Sequence, residues 1–442
     1  MRNLIGMLAF SAVVVLFAVP LWAQPASPLD VLQSDAPHEA KVRACRELAQ
    51  EGGLDAIPVL AALLDDAALS HMARYALEPM PYPEVDAVLR EALDKTSGLL
   101  KAGIISSLGI RKDRESLPVL AGLLSDPDPA VSQAATKSLG EMGGLDAVDA
   151  LKRALLQPGL TPLNRNSHCD ALLACAEKLK ISESMEERRL AGSVYAMLYQ
   201  QEEFGAARRA AALRGLILHH ADAPWPEDAS ETLPWLQASL SGEEETFFLA
   251  ALGVIRELGG REKVSIALSE MLSELPGERK VRLIQILAET GGAGVGEAVL
   301  AEFELGTIEV RVAALRALTR LAYTPALETI KSLCISGDDP EELVKAARTS
   351  LNYFPDEERS DALRSMLMQT EPEVRRIAIE MIGRGGLDNP IALFKEITDT
   401  DGDAEVRVAA LGALRERAGI EEVPWLLGHL LNARTQDEMQ AA

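Results

Sequence analysis

Along most of the chain, small and aliphatic residues return at spacings of three and four and are bounded by short polar turns. The clearest stretch, EVRVAALRALTRL at 309–321, is written again as EVRRIAIEMIGRG at 373–385 and as EVRVAALGALRER at 405–417. A looser copy, EELVKAARTSL, sits at 341–351. In the clear copies an anchor residue is followed by apolar or small residues at plus 3, 4, 7 and 8. Val310, Ala313, Ala314, Ala317 and Leu318 show it; so do Val406, Ala409, Ala410, Ala413 and Leu414, and Val131, Ala134, Ala135, Ser138 and Leu139. Those positions make one face of an α-helix.

Aligned on that anchor, the copies fall at Val42, Met72, Leu100, Val131, Ala171, Arg208, Phe247, Val281, Val310, Leu343, Val374 and Val406. Intervals run from 28 to 34 residues, except for the three between Val131 and Phe247, which are 40, 37 and 39. Each helix is partnered by a second apolar pattern, best seen in LDAIPVLAALLDD (54–66) and RESLPVLAGLLSD (114–126). Pro58 and Pro118 suit a first helical turn, where a missing N–H costs nothing. Glycine pairs at 52–53, 143–144, 259–260, 291–292 and 385–386 are expected to supply the left-handed residue that stops a helix. The acidic turns SDPDP (125–129), SGDDP (336–340) and DTDGD (399–403) are expected to cap the next helix. The dipeptide Val-Arg recurs at 42, 281, 310, 374 and 406, and its Arg is expected to bond the neighbouring acidic turn, one rung per unit.

A two-helix unit of this size cannot bury its apolar face alone, so neighbours must stack. The predicted fold is therefore all-α, an α-solenoid (superhelix) of about twelve two-helix repeats. The expected boundaries are a leader at 1–23, a linker and cap at 24–37, regular repeats at 38–157, longer irregular ones at 158–245, regular repeats at 246–435 and a tail at 436–442.

The segments DPAVSQAATKSLGEMGGLDAVDALKRALL (128–156) and EVRVAALRALTRL resemble HEAT repeats. Their period is similar to the short class found in phycobilisome-lyase-like HEAT proteins. LSHMARYALEPMPYPEVDAVLREAL (69–93) is also similar to exported HEAT proteins of planctomycete and verrucomicrobial type. The resemblance implies a fold more than a function, because HEAT arrays serve as scaffolds, adaptors and a few enzymes.

Composition sharpens this picture. The chain is 48% apolar but only 4% aromatic, which favours close-packed helices with alanine at the contacts. A formal charge of -23 argues against a nucleic-acid partner, which needs clustered Lys and Arg. An acidic surface suits a soluble exported molecule, or more pointedly a basic protein partner. The start, MRNLIGMLAFSAVVVLFAVPLWAQPASP, has a positive beginning, an apolar run from Leu4 to Val19, Pro20 and the small residue Ala23. It reads as a secretory signal cleaved after Ala23, hence a periplasmic or secreted protein; an uncleaved inner-membrane anchor is the alternative. The run is short of the ~20 residues a membrane span needs, and no later run is long enough.

The candidate chemistry is sparse. The four cysteines, Cys45, Cys169, Cys175 and Cys334, fall in packing slots and are expected to be buried thiols; Cys45 aligns with Ala134 and Ala313. His168, Cys169 and Cys175 in NSHCDALLAC lack the two close ligand pairs of a structural zinc. DTDGDAE (399–405) offers Asp399, Asp401 and Asp403, but Ala404 and Ala410 stand where a calcium loop requires Gly and Glu. The glycines of GGAGVGEA (291–298) join two helices and do not cradle phosphate. ILHHADAPWPEDASETLPWL (217–236) is expected to be a long loop bearing His219, His220, Asp222, Trp225 and Trp235, the residues with the best claim to a partner contact or an ion. In the plainer reading the Trp residues cover the flanking helices and the histidines are solvated. HEAT-like deoxyhypusine hydroxylases hold two irons with four His-Glu pairs; here His38-Glu39 is the single pair. No H-E-x-x-H, G-x-S-x-G or Walker loop occurs.

The sequence thus points to an exported HEAT-repeat scaffold or adaptor that binds another protein, with no catalytic residue, metal or cofactor of its own. The alternative is an enzyme, lyase-like or metal-dependent, or an accessory subunit of an exported oxidoreductase complex, with a cofactor in the irregular middle.

Overall fold

Helices follow one another in pairs throughout the computed structural model, which describes residues 27–222, 232–259, 262–432 and 436–441. The expected leader at 1–23 and Trp225 lie outside the described residues. Among those residues there is no strand. The chain divides into two units, at Val194/Tyr195.

The first unit contains α1 (Pro28–Gln33), α2 (His38–Glu51), α3 (Ala56–Ala61), α4 (Ser70–Leu77), α5 (Pro83–Lys95) and α6 (Gly98–Arg111). After these come α7 (Leu117–Gly122), α8 (Pro129–Met142), α9 (Leu145–Leu155) and α10 (Pro162–Lys180). The division falls inside α11 (Met185–Gln200). The second unit continues with α12 (Ala206–Asp222), α13 (Leu233–Ser241), α14 (Glu245–Leu258), α15 (Glu262–Ser269), α16 (Gly277–Thr290) and α17 (Gly296–Leu305). Then follow α18 (Ile308–Arg320), α19 (Leu327–Cys334), α20 (Glu341–Asn352), α21 (Asp356–Leu367) and α22 (Pro372–Met381). It closes with α23 (Ile391–Thr400), α24 (Ala404–Arg415), α25 (Val423–Leu431) and the short α26 (Gln436–Ala441). Odd helices open a repeat and even helices complete it. In the first unit α2 packs on α4, α4 on α6, α6 on α8 and α8 on α10; in the second α12, α14, α16, α18 and α20 stack in turn, as do α22, α24 and α26. This is the predicted α-solenoid architecture.

The even helices stack because their anchor, plus-4 and plus-8 positions are sequestered. Val131, Ala135 and Leu139 are buried, as are Val310, Ala314 and Leu318, and Val406, Ala410 and Leu414. In the second unit one continuous cluster of buried side chains runs from Leu213 to Leu414, the shared core that no single pair could form. Burial also corrects the alignment. In α4 the buried set is Leu69, Ser70, Ala73, Ala76 and Leu77, matching Val131, Ser132, Ala135, Ser138 and Leu139, so the anchor is Leu69 and not Met72. By the same match the anchor of α2 is Ala40, not Val42, which pairs Cys45 with Thr136 instead of Ala134. In α16 it is Arg279, not Val281, since Leu283 and Leu287 take the plus-4 and plus-8 places.

Caps and stops follow local chemistry. Asp128 accepts from the Ala130 N–H at 2.8 Å, and Asp403 accepts from the Glu405 and Val406 N–H groups at 2.9 and 3.2 Å. Asp339 instead accepts from the Ser336 hydroxyl and faces Arg311, leaving Pro340 as the cap residue. Gly385 stops its helix at φ 113° as expected, whereas Gly291 is extended at φ -86°. There a Cβ would lie 2.6 Å from the Leu287 carbonyl oxygen and 2.8 Å from Val295, so glycine serves close approach rather than handedness.

The long intervals of the middle contain long helices. The helices α10, α11 and α12 have 19, 16 and 17 residues, against 6 in α3 and α7.

Candidate functional site

The expected 217–236 loop is helical at both of its ends. Residues 217–222 complete α12, so His219, His220 and Asp222 lie on a helix end, and Trp235 lies in the first turn of α13. The His220 ring sits 5.5 Å from the Trp235 ring and 5.7 Å from that of His219. Trp235 packs against the core of the second unit.

The other sequence candidates are occupied by structural work. Cys45, Cys169, Cys175 and Cys334 are buried thiols. Burial pushes Cys45 and Cys175 up to about 11 and Cys334 to about 12, so they are protonated and poorly nucleophilic at neutral pH. His168 is 1% exposed, with Nδ1 3.1 Å from the Thr136 hydroxyl and Nε2 without a partner. Burial lowers its pKa. Both carboxylate oxygens of Asp401 accept from Arg375 at 2.9 Å, and Asp403 is a helix cap, so DTDGD is an inter-helix turn. Among the described residues no group of three or more His, Cys, Asp or Glu is placed to hold a metal ion, and no helix is long and apolar enough to cross a membrane.

The Arg rungs form where the register is right. The residue after the anchor pairs with an acid of the next repeat in four places: Lys280 with Glu302 at 2.6 Å, Arg311 with Asp339 at 3.4 Å, Arg375 with Asp401, and Arg407 with Glu438 at 2.6 Å. Two of the five Val-Arg pairs stand elsewhere. Arg43 is exposed, and Arg282 bonds Glu245 and Glu278. Lys280 is not legible in the sequence, because the Val-Arg pair of its repeat stands two residues beyond the true anchor, Arg279.

What remains is the outward face of the even helices. In the second unit it begins as a ladder of charges that satisfy one another. Arg214 forks onto Glu257 at 2.9 and 2.7 Å, Arg256 reaches Glu289 at 3.0 Å, and Arg320 lies 4.0 Å from the same Glu289. That ladder joins α12, α14, α16 and α18. Between α22 and α24 the character changes. A groove of about 690 Å3 opens there, with Gly383, Val408, Ala409, Gly412 and Ala413 along it. Its α22 rim carries Arg376 and Arg384; its α24 rim carries Glu405 and Glu416. Arg376 bonds Glu373 and Arg384, in the turn after α22, bonds Glu380; exposed pairs of that kind contribute little. Glu380 and Asp437 also line it, so a small-residue floor lies between rims of mixed charge, an arrangement suited to receive side chains of another chain.

One stretch of the stacked pairs resembles a known repeat family: the family profile described as HEAT repeats matches residues 87–161. No curated protein matches the chain. Among solved structures, Kap95p, from a study of its binding to RanGDP, aligns with a TM-score of 0.52 at 14% identity, over 94% of this chain and 64% of Kap95p. Kap121p aligns with a TM-score of 0.53 at 14% identity when free and 0.52 at 13% when bound to Pho4p, in each case over 94% of this chain and 52% of Kap121p. The chain thus spans between half and two-thirds of the length of these HEAT-type solenoids, and at such identity the likeness shows the fold alone. Human deoxyhypusine hydroxylase also aligns, but at a TM-score of 0.25, too low to carry an argument.

Proposed function

We propose that this HEAT-repeat solenoid is a scaffold or adaptor that binds another protein along its even-helix face, acts without catalysis of its own, and is exported by the leader at 1–23 or anchored by it if uncleaved. The observation that carries the reading is the α22–α24 groove, where a face bridged by ion pairs from α12 to α18 opens onto glycine and alanine. Partner-bound solenoids such as Kap121p with Pho4p support the binding role by analogy of fold. The net charge of -23 favours a partner with basic residues toward the Glu405 and Glu416 rim.

The test is a photo-crosslinking residue at Val408, used in cells that express the chain, with an Ala409→Trp variant that fills the groove. One discrete crosslinked protein, lost in the filled variant while the helical signal is kept, is the expected result. Crosslinking unaffected by Ala409→Trp would remove the groove from the reading, and substrate turnover by the purified chain alone would remove the scaffold. The enzyme alternative predicts a stoichiometric transition metal that disappears from a His219→Ala/His220→Ala variant.

A further inference from the structure

The helix α25 is unlike every other odd helix of regular length in the second unit, because none of its residues is buried. Its inward side is fixed: Trp425 and Leu426 rest on the core, and the Trp425 ring stacks on His429 at 5.2 Å and lies under Lys395 at 5.8 Å. Its other side is bare. Val423, Leu427 and Leu431, at spacings of four, are 46%, 55% and 84% exposed, and Ile420 just before the helix is 91% exposed. One repeat earlier, on the 32-residue anchor spacing, the same four places hold Asp388, Ile391, Lys395 and Asp399: Ile391 is half-buried, Lys395 bonds Glu422 of the following repeat, and the two exposed places are acids. The α25 row thus sets aliphatic side chains at exposed places where the preceding repeat sets charged ones. The short α26 packs on α24 and touches α25, and the row stays exposed.

We propose that a second copy of this chain covers α25, by antiparallel pairing of the two α25 helices about a twofold axis. Two features select that occupant. From Val423 to Leu431 the helix contains no Asp, Glu, Lys or Arg, and of the two acids just before it Glu422 is bonded by Lys395, so two bodies of charge -23 can meet along this helix with few opposed like charges. The row is also self-complementary. Leu427 is midway between Val423 and Leu431, so a twofold axis at Leu427 sets the two Leu427 side chains together and each Val423 against the Leu431 of the other copy. A patch of four aliphatic side chains is far smaller than the ~800 Å2 per partner of a standard stable interface, so the dimer is weak and reversible. Contact through a neutral patch between acidic bodies also fixes the sign of the salt effect: added salt screens the repulsion and strengthens the dimer.

Sedimentation velocity of the full chain, from low micromolar to several hundred micromolar, tests this. The expected result is a reversible monomer–dimer equilibrium that tightens in high salt. Leu427→Asp is expected to weaken it at least about tenfold, from lost apolar burial and paired like charges on the axis. Leu431→Lys should weaken it too, and since neither residue is buried the thermal melt of both variants should be unchanged. Leu305→Asp, which alters an 87% exposed residue on α17, should leave the dimer intact. A wild type that stays monomeric throughout, a dimer that survives Leu427→Asp, or one abolished equally by Leu305→Asp would each overturn the proposal. Because the groove lies on α22 and α24, Ala409→Trp separates the two readings: it should block the crosslinked partner and spare the dimer.

Discussion

At Asp401 three influences meet. Burial alone would raise its carboxyl, but hydrogen bonds from Arg375 and from the Asp403 N–H, with the charges of Arg375 and Arg407, outweigh it and hold the pKa below the ordinary value. A carboxyl depressed by folding contributes stability above its unfolded pKa of ~3.9, and that stability is lost as pH falls through its folded value. Asp401→Asn is therefore expected to cost about 2 kcal/mol at pH 7 and progressively less below pH ~4, read from urea midpoints at the two pH values. His168 has the opposite charge and the same sign of pH dependence. Burial lowers its pKa, so folding favours the neutral ring; the contribution is intact above the unfolded value of ~6.5 and is lost as pH drops through and below it. His168→Gln, which keeps a polar group beside Thr136, should flatten the stability profile of the first unit between pH ~7 and ~5. A wild-type profile already flat there would sink that account. The rung made by Arg375 was legible in the sequence because an Arg and an acidic turn recur together. The burial of His168 was not, since nothing in NSHCDALLAC shows that α8 will lie across it.

Helix ends, more than helix faces, distinguish the elements. Arg111 at the end of α6 bonds Asp86 and donates to the carbonyls of Glu78 at 2.9 Å, Met80 at 2.7 Å and Tyr82 at 3.0 Å. Those carbonyls follow the end of α4, where a helix leaves acceptors without partners. Lys178 of α10 does the same for the Gly140 and Glu141 carbonyls of α8, at 2.8 and 2.6 Å. Each such cation ties one repeat to the one before it, so its loss weakens a joint and not a single helix. Arg111→Lys keeps the charge but cannot reproduce the planar fork, and is expected to lower the stability of the first unit by about 3 kcal/mol, with an unchanged denaturant m-value. A loss below a few tenths of a kcal/mol would mean that water serves those carbonyls equally well. Carbonyl acceptors carry no sequence signature, which is why Arg111 did not stand out. Apolar period gave the existence of nearly every even helix, but it misplaced Met72 by three residues and Val281 by two, because the α4 anchor, Leu69, stands at the cap just before the helix and α16 puts Arg279 where other helices have valine. The supposed long loop at 217–236 failed for a related reason: His219 and His220 look like loop residues until α12 is seen to run through them.

In a stack the whole is a sum of joints, so its mechanics follow from where a joint is missing. In the second unit the cationic rung is present at Lys280, Arg311, Arg375 and Arg407, but the equivalent place in α20 is held by Val344, which has no charge to offer the next turn. Among the repeats from α16 onward, the step from α20 to α22 is thus the one without a rung. Nearest-neighbour stacking turns that local gap into a boundary: repeats on its C-terminal side should open as a group while those before it stay folded. Native-state hydrogen exchange followed by mass spectrometry reads this directly. Amides of α22 to α25 are expected to share one opening free energy, lower than that of α14 to α18. Arg375→Ala, which breaks a rung inside the detached group, should speed exchange there and leave α14 to α18 unchanged. Exchange that accelerates uniformly across both groups would show that the second unit opens as one cooperative body, and that the missing rung at Val344 has no mechanical consequence.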